Sequence, residues 1–418
     1  MFTFFKFIHF LKRNIFIKSI LFGLLGVVTY LLYLSLFNIE YMRETIEDPA
    51  FRYFNAFLSD KTESFSKPNI FIFEVNNKYL KERNLLDEDN RTNKNYGYFL
   101  PRKYIIEFIQ HVDKLTIKPR YVLIDFNLNY PSNSLNQLSV DDNKLIALLN
   151  DKSRKYKIFI PHNRKYNFLE NKVTNKNVIF CSTLLSANKD EGDEITKRFE
   201  TYETINDKNY TNIILLLSEN NITNYNQYHV IENRILFKNR INNHNFWNNI
   251  HYYSTFNDMY ETSPDRYKEG IILFGANYID SKDIHKVQTS IFDNHDIAGV
   301  EVIANAVMSL YYFDNKLKAI DPNEALFLIF MYAFIAKLIT LIFIKYIHPL
   351  KNYETSIFIG LFFIISSVYS YYIFIIYKLW FNYLIPVLIW SIYDGFNSIF
   401  PLILGTMKKS SLLKTEGK

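Results

Sequence analysis

Four long apolar runs constrain this chain more than any other feature. One lies near the start, at 15–37, and three near the end, at 324–345, 355–377 and 383–405. About 20 apolar residues in a helix rising about 1.5 Å per residue cross a hydrocarbon core of about 30 Å. Each run is therefore read as a transmembrane helix. The first is interrupted only by Lys18 and small polar residues, and no A-x-A-like cleavage site follows it. It is longer than a signal-peptide core and reads as an uncleaved anchor, with Lys18 snorkelling to the interface. Mean hydropathy is near zero only because polar and apolar regions average out.

The polar stretch between them, 38–323, has the pattern of one folded α/β domain with a largely parallel sheet. Short β-rich runs are predicted as strands at Ile70–Val75, Tyr121–Phe126, Lys157–Ile160, Val178–Ser182, Ile213–Leu217 and Ile271–Phe274. They alternate with amphipathic helices predicted at Arg102–Leu115, Asp141–Leu149 and Val300–Tyr312. Strands of four to seven residues separated by helices are the signature of such a sheet. Ser186–Tyr210 is rich in Asn, Asp, Glu and Lys and is read as a long surface loop.

Orientation follows from the basic residues that flank the apolar runs. Lys6, Lys12, Arg13 and Lys18, then Lys345 and Lys351, then the four lysines after Met407 fall on one side if there are four spans. That places residues 1–14 and 406–418 in the cytoplasm and the large domain outside. Trp380, Tyr377 and Tyr383 then lie at the outer interface, where aromatic belts form.

Composition removes several classes. The net charge of +6 is dispersed, so no nucleic-acid partner is expected. Cys181 is the only cysteine, which rules out an intramolecular disulfide and argues against a cysteine-ligated zinc. The abundance of Lys, Asn, Ile, Phe and Tyr is what an A/T-rich bacterial genome produces. No nucleophile elbow, P-loop or H-E-x-x-H occurs, so no catalytic residue, enzyme activity, cofactor or metal is expected.

Several segments resemble one family in order and spacing. Asp48 with Phe51-Arg52 looks like its "D..fR" opening. Ile70–Val75 followed by Asn76-Asn77 resembles its first strand, Leu100-Pro101-Arg102 its "W-P-R" helix start, and Val122–Phe126 its "VGFD..F" strand. Asp141 looks like the aspartate that begins its next helix. Ile272–Ala276 is similar to "vliGa", and Asp283, His285 and Thr289 to "D.h.TP", with Ser290 in place of the proline. Gly299–Ala306 resembles "pGVeihAnai". The chain thus resembles the CHASE2 sensory family as a divergent member.

The resemblance implies an extracytoplasmic domain in a bacterial inner membrane that perceives an environmental signal. Many members carry a cytoplasmic cyclase, kinase or phosphatase-type output. Here the segment after Met407 has eleven residues, too few to bury a core, so the output is expected in a separate cytoplasmic partner. The other expected partners are the lipid bilayer, an extracytoplasmic ligand or protein, and a second copy of the chain. The alternative is a non-signalling envelope assembly factor whose outer domain docks a periplasmic protein.

Ligands of parallel sheets bind beyond the carboxyl ends of strands. Glu74, Asn76, Arg102 and Asp125 are therefore candidates for a polar crevice, although a structural Arg102–Asp125 salt bridge is the stronger expectation for those two residues. Asp283 and His285 are further ligand candidates. They belong, with Asp293, His295 and Asp296, to an Asp/His cluster that chance produces often in polar loops. Gly299 is read as a φ > 0 residue before a helix. Asn305 is read either as a ligand contact or as a bond to a neighbouring backbone. Glu191–Ile195 superficially echoes a diguanylate-cyclase signature, but in an outer loop remote from GTP. Within the apolar runs, Lys337 and Asp394 lie at depths of roughly 20 and 17 Å. A Lys337–Asp394 pair is expected, because charges at such depth turn inward and pair. Otherwise Lys337 snorkels, and Asp394 is protonated or meets Asn397.

Overall fold

The computed structural model describes residues 14–36, 48–66, 68–86, 100–133, 137–162, 167–187, 196–218, 235–241, 244–278, 283–289, 294–313, 318–347 and 353–381. They fall into two compact units, one spanning 52–317 and one made from the chain before and after it.

In chain order, helices α1 (Ile15–Leu36) and α2 (Asp48–Ser59) precede strand β1 (Ile70–Asn76), helices α3 (Asn77–Glu82) and α4 (Arg102–Lys114), and strand β2 (Tyr121–Asp125). Helix α5 (Val140–Leu149) leads to β3 (Lys157–Pro161) and β4 (Val178–Cys181). Four short strands follow: β5 (Leu185–Ala187), β6 (Thr196–Phe199), β7 (Tyr202–Ile205) and β8 (Lys208–Thr211). Then come helix α6 (Ile213–Leu217), β9 (Arg240–Ile241), β10 (His244–Asn245), β11 (Ile250–Tyr253), helix α7 (Phe256–Glu261) and β12 (Ile271–Asn277). The hairpin β13 (Ile284–Gln288) and β14 (Asn294–Ala298) precedes helix α8 (Gly299–Tyr312). Strand β15 (Lys318–Ala319), helices α9 (Pro322–Tyr346) and α10 (Glu354–Tyr377) and strand β16 (Leu379–Trp380) complete the described chain.

The domain is α/β. Its sheet runs β4-β3-β2-β12-β1-β11-β10-β9, with the first six strands parallel and β10 and β9 antiparallel at one edge. Parallel strands are covered on both faces and so read as continuous apolar runs. In β1 every residue from Ile70 to Val75 is buried. The period of two then sorts the side chains. Phe71, Phe73, Val122, Ile124, Ile272 and Phe274 join the cluster beneath α4 and α5, together with Ile105, Phe108, Leu145 and Leu149. Phe108 stacks on Phe274 with centroids 4.0 Å apart. On the opposite face, Gly275 meets α8 so closely that a Cβ there would lie 2.0 Å from Val300 Cγ1.

Five of the six predicted strands and all three predicted helices form, to within three residues at their ends. Ile213–Leu217 is the exception: it is helix α6, started by Asn212, whose side chain accepts from the Ile214 N–H at 3.0 Å. Five contiguous apolar residues carry no period, so the cap decides their structure. The loop expected at Ser186–Tyr210 instead contains the paired strands β5–β6 and β7–β8. Helix α5 opens with a capping box of Ser139 and Asp142, so Asp142 does the capping rather than Asp141.

In the other unit, α9 and α10 are each long and apolar enough to cross a membrane, and α1 is a further apolar helix. Their exposed residues include Leu24, Val28, Phe327, Ile364 and Val368. An apolar surface all round suits lipid and fits membrane anchoring. The fourth run, 383–405, lies outside the described residues, and so does Asp394. Lys337 is buried, lies 4.0 Å from the Phe22 ring centre and donates to Glu354 Oε1 at 2.6 Å.

Candidate functional site

Three strands end side by side with Glu74, Gly275 and Asp125 in register. Residues paired this way across parallel strands point to the same face, which is the face that meets α8. After β2 the chain crosses to α5, whereas after β12 it reaches α8 on the other face, leaving a crevice between the two strand ends. Such a switch is where open α/β sheets leave room for a ligand.

A cavity of about 280 Å³ occupies this place. Asp125, Asp283, His285, Gly299 and Ile303 line it together with Leu184, Leu185 and Glu203. Asp283 is fixed by its backbone, whose carbonyl accepts from Gly299 N–H at 2.8 Å. Its side chain accepts from His285 Nε2 at 3.2 Å, and His285 Nδ1 lies 3.2 Å from Thr196 Oγ1. Glu203 accepts from Ser182 Oγ at 2.8 Å. Gly299 does not have the positive φ expected from the sequence. A Cβ here would lie 2.2 Å from Asp283 Oδ1, so any larger residue would have to displace the Asp283 carboxylate.

Burial, and then the neighbouring Asp283, push the Asp125 carboxyl well above the usual range. No hydrogen bond or cation reaches Asp125 among the described residues, and its remaining exposure opens onto the cavity. Cys181 is buried behind it with its Sγ 3.6 Å from Ile160 O. Burial, with Asp125 adding to it, pushes that thiol up, so it is a poor nucleophile.

On the other side of Gly275 the charges are closed. Arg240 grips Glu74 with both terminal nitrogens, at 2.7 and 3.1 Å, and lies 3.5 Å from Glu301 Oε2. Asn277 donates to Glu74 at 2.8 Å and Tyr252 to Glu301 at 2.8 Å. Burial raises the Glu301 carboxyl while Arg240 and Tyr252 pull it down.

Of the sequence candidates, the structure brings together Asp125, Asp283 and His285. Glu74 faces Arg240, and Asn76 caps α3 by accepting from Tyr79 N–H at 3.0 Å. The expected Arg102–Asp125 bridge does not form. Arg102 instead donates to Asp142 Oδ1 at 3.4 Å and to Tyr130 O at 2.7 Å, because the chain after β2 turns back over α4. Ser139 and Ser132 also bond Asp142 and hold its carboxyl low against the opposing effect of burial. Asn305 is fully buried, accepting from Lys238 N–H at 3.0 Å and Trp247 Nε1 at 3.1 Å. His295 and Asp296 are exposed on β14, while Asp293 and Glu191–Ile195 lie outside the described residues. Among the described residues no three His, Cys, Asp or Glu side chains converge as a metal site. Sequence reasoning missed Glu203, hidden in a presumed loop, and Arg240, though a glutamate inside a buried strand itself demands a cation.

A family model described as the CHASE2 domain matches residues 24–343. The chain belongs to the CHASE2 domain family. CHASE2 is a family of sensory, extracytoplasmic domains, and the match spans the whole unit at 52–317. No curated protein and no solved structure matches the chain.

Proposed function

We propose that this CHASE2 protein is a membrane-bound sensor that perceives a ligand in the crevice between β2 and β12 and passes the change to a separate partner. The observation that carries the reading is the cavity at the carboxyl edge of the sheet, lined by the Asp125 carboxyl, which no described side chain pairs. Asp283 touches the first residue of α8, and α8 ends at Tyr312, shortly before α9 begins at Pro322. A ligand that moves Asp283 therefore acts on the helix whose chain continues into the membrane segment. The proposed topology has four spans, at 15–37, 324–345, 355–377 and 383–405, with both termini cytoplasmic, and its support is the one-sided distribution of lysine and arginine. Among the described residues of the domain, exposed large apolar side chains stand on separate elements, such as Phe57 on α2 and Val140 on α5, which favours the sensor over the docking-factor reading.

A crosslinking pull-down of the full chain from its native membrane, beside a variant lacking residues 408–418, tests the output. A cytoplasmic kinase, cyclase or phosphatase captured only with the tail present is expected. Capture of envelope-assembly proteins alone, unchanged by truncation, would contradict it. Topology is tested with an impermeant maleimide on intact cells: Asp60→Cys should label and Ser410→Cys should not.

A further inference from the structure

We infer that the Asp125 cavity takes a small organic cation, an amine or guanidinium on a short aliphatic stem, held between the carboxyls of Asp125 and Asp283; this rests on reading the cavity as the sensing site. The fold shows how it treats a buried carboxylate that it stabilises with its own side chains. Glu74 receives Arg240 at 2.7 Å, and Asp142 receives Arg102 at 3.4 Å and two serines. Asp125 receives nothing of the kind among the described residues, although it is enclosed in the domain and faces a second carboxylate. Ionised, it is desolvated beside like charge. Neutral, it presents a hydroxyl with no acceptor assigned to it. Either state is costly, and a cation lodged between the two acids offsets both costs.

The third carboxylate of the lining, Glu203, adds negative charge to the same cavity. Glu203 is engaged by Ser182, and the imidazole of His285 is turned to Asp283 and Thr196. Leu184, Leu185 and Ile303 supply apolar lining for methylene groups, and 280 Å³ suits a small molecule. A hard metal ion would need about six convergent oxygens, and no three metal-binding side chains converge among the described residues.

The test is calorimetric titration of the full-length protein in nanodiscs of zwitterionic lipid. Agmatine and putrescine are the cationic probes, with glutamate, glucose and calcium chloride as the other charge classes. Agmatine or putrescine should bind the parent, and Asp125→Asn and Asp283→Asn should each weaken binding about tenfold or more. Asp141→Asn, on the exposed side of α5, should leave it unchanged. The thermal midpoint of each variant shows that it is folded. Binding of glutamate or glucose that Ile303→Phe abolishes but Asp125→Asn spares would overturn the cation assignment while keeping the cavity as the sensing site. Calcium binding alone, dependent on Asp125, would likewise overturn the organic cation. If no probe of any class depends on the cavity, both readings fall.

Discussion

Glu74 and Asp125 lie at one register level, on one face of one sheet, on either side of Gly275. Their surroundings differ completely. Glu74 is clamped by Arg240 and Asn277 within 3.1 Å, whereas among the described residues no side chain pairs with Asp125, which lies near Asp283 and lines a cavity. Position in the fold therefore does not by itself separate a structural acid from a site. Pairing does. A carboxylate closed by its own chain fixes the start of α8, and a carboxylate left open is available to something else.

The largest expected effect comes from opening the closed side. Arg240→Met leaves Glu74 and Glu301 buried without a cation and should cost about 3 kcal/mol in denaturant unfolding of the full-length protein. Glu74→Gln added to that chain should recover part of the loss. Gly275→Ala attacks the seam between the two sides. Its Cβ would fall 2.0 Å from Val300, and overpacking of this kind costs about 1–3 kcal/mol.

The open side should respond in the opposite sense. Asp125→Asn removes a desolvated charge beside Asp283 and should stabilise the domain by about 0.5–2 kcal/mol, seen as a higher thermal midpoint. The smallest effect is its pH dependence. A folded pKa raised above the unfolded value of about 3.9 gives stability that is present below that value and lost as pH rises through the folded pKa. The midpoint of the parent should therefore fall further behind that of Asp125→Asn as pH rises above about 4. Parallel curves would place Asp125 in an ordinary solvated setting.

Much of this was legible because buried parallel strands and amphipathic helices announce themselves by period. Asp125 was singled out as an acid at a strand end, and Asp283 and His285 through their resemblance to the family's "D.h.TP"; that these three line one cavity comes from the fold. What was not legible depended on partners far apart in sequence. Arg102 turned to Asp142 instead of Asp125 because of the path taken by the chain after β2. Arg240 reaches Glu74 across 166 residues. Strands β7 and β8 are short and largely polar, so neither a hydrophobic period nor an apolar run marked them. The glycine at 299 was recognised, but for the wrong reason. It makes room for a carboxylate and has no special backbone angle.

Carbodiimide labelling at neutral pH, read by peptide mass spectrometry on the full-length protein in its membrane, tests the contrast most directly. These reagents attack carboxyls that they can reach: the cavity opens Asp125 to them, while Arg240 and Asn277 close Glu74 off. Asp125 should be modified and Glu74 spared, with agmatine protecting Asp125. Equal labelling of both, or labelling of Glu74 alone, would contradict the assignment of one acid to the structure and the other to the site.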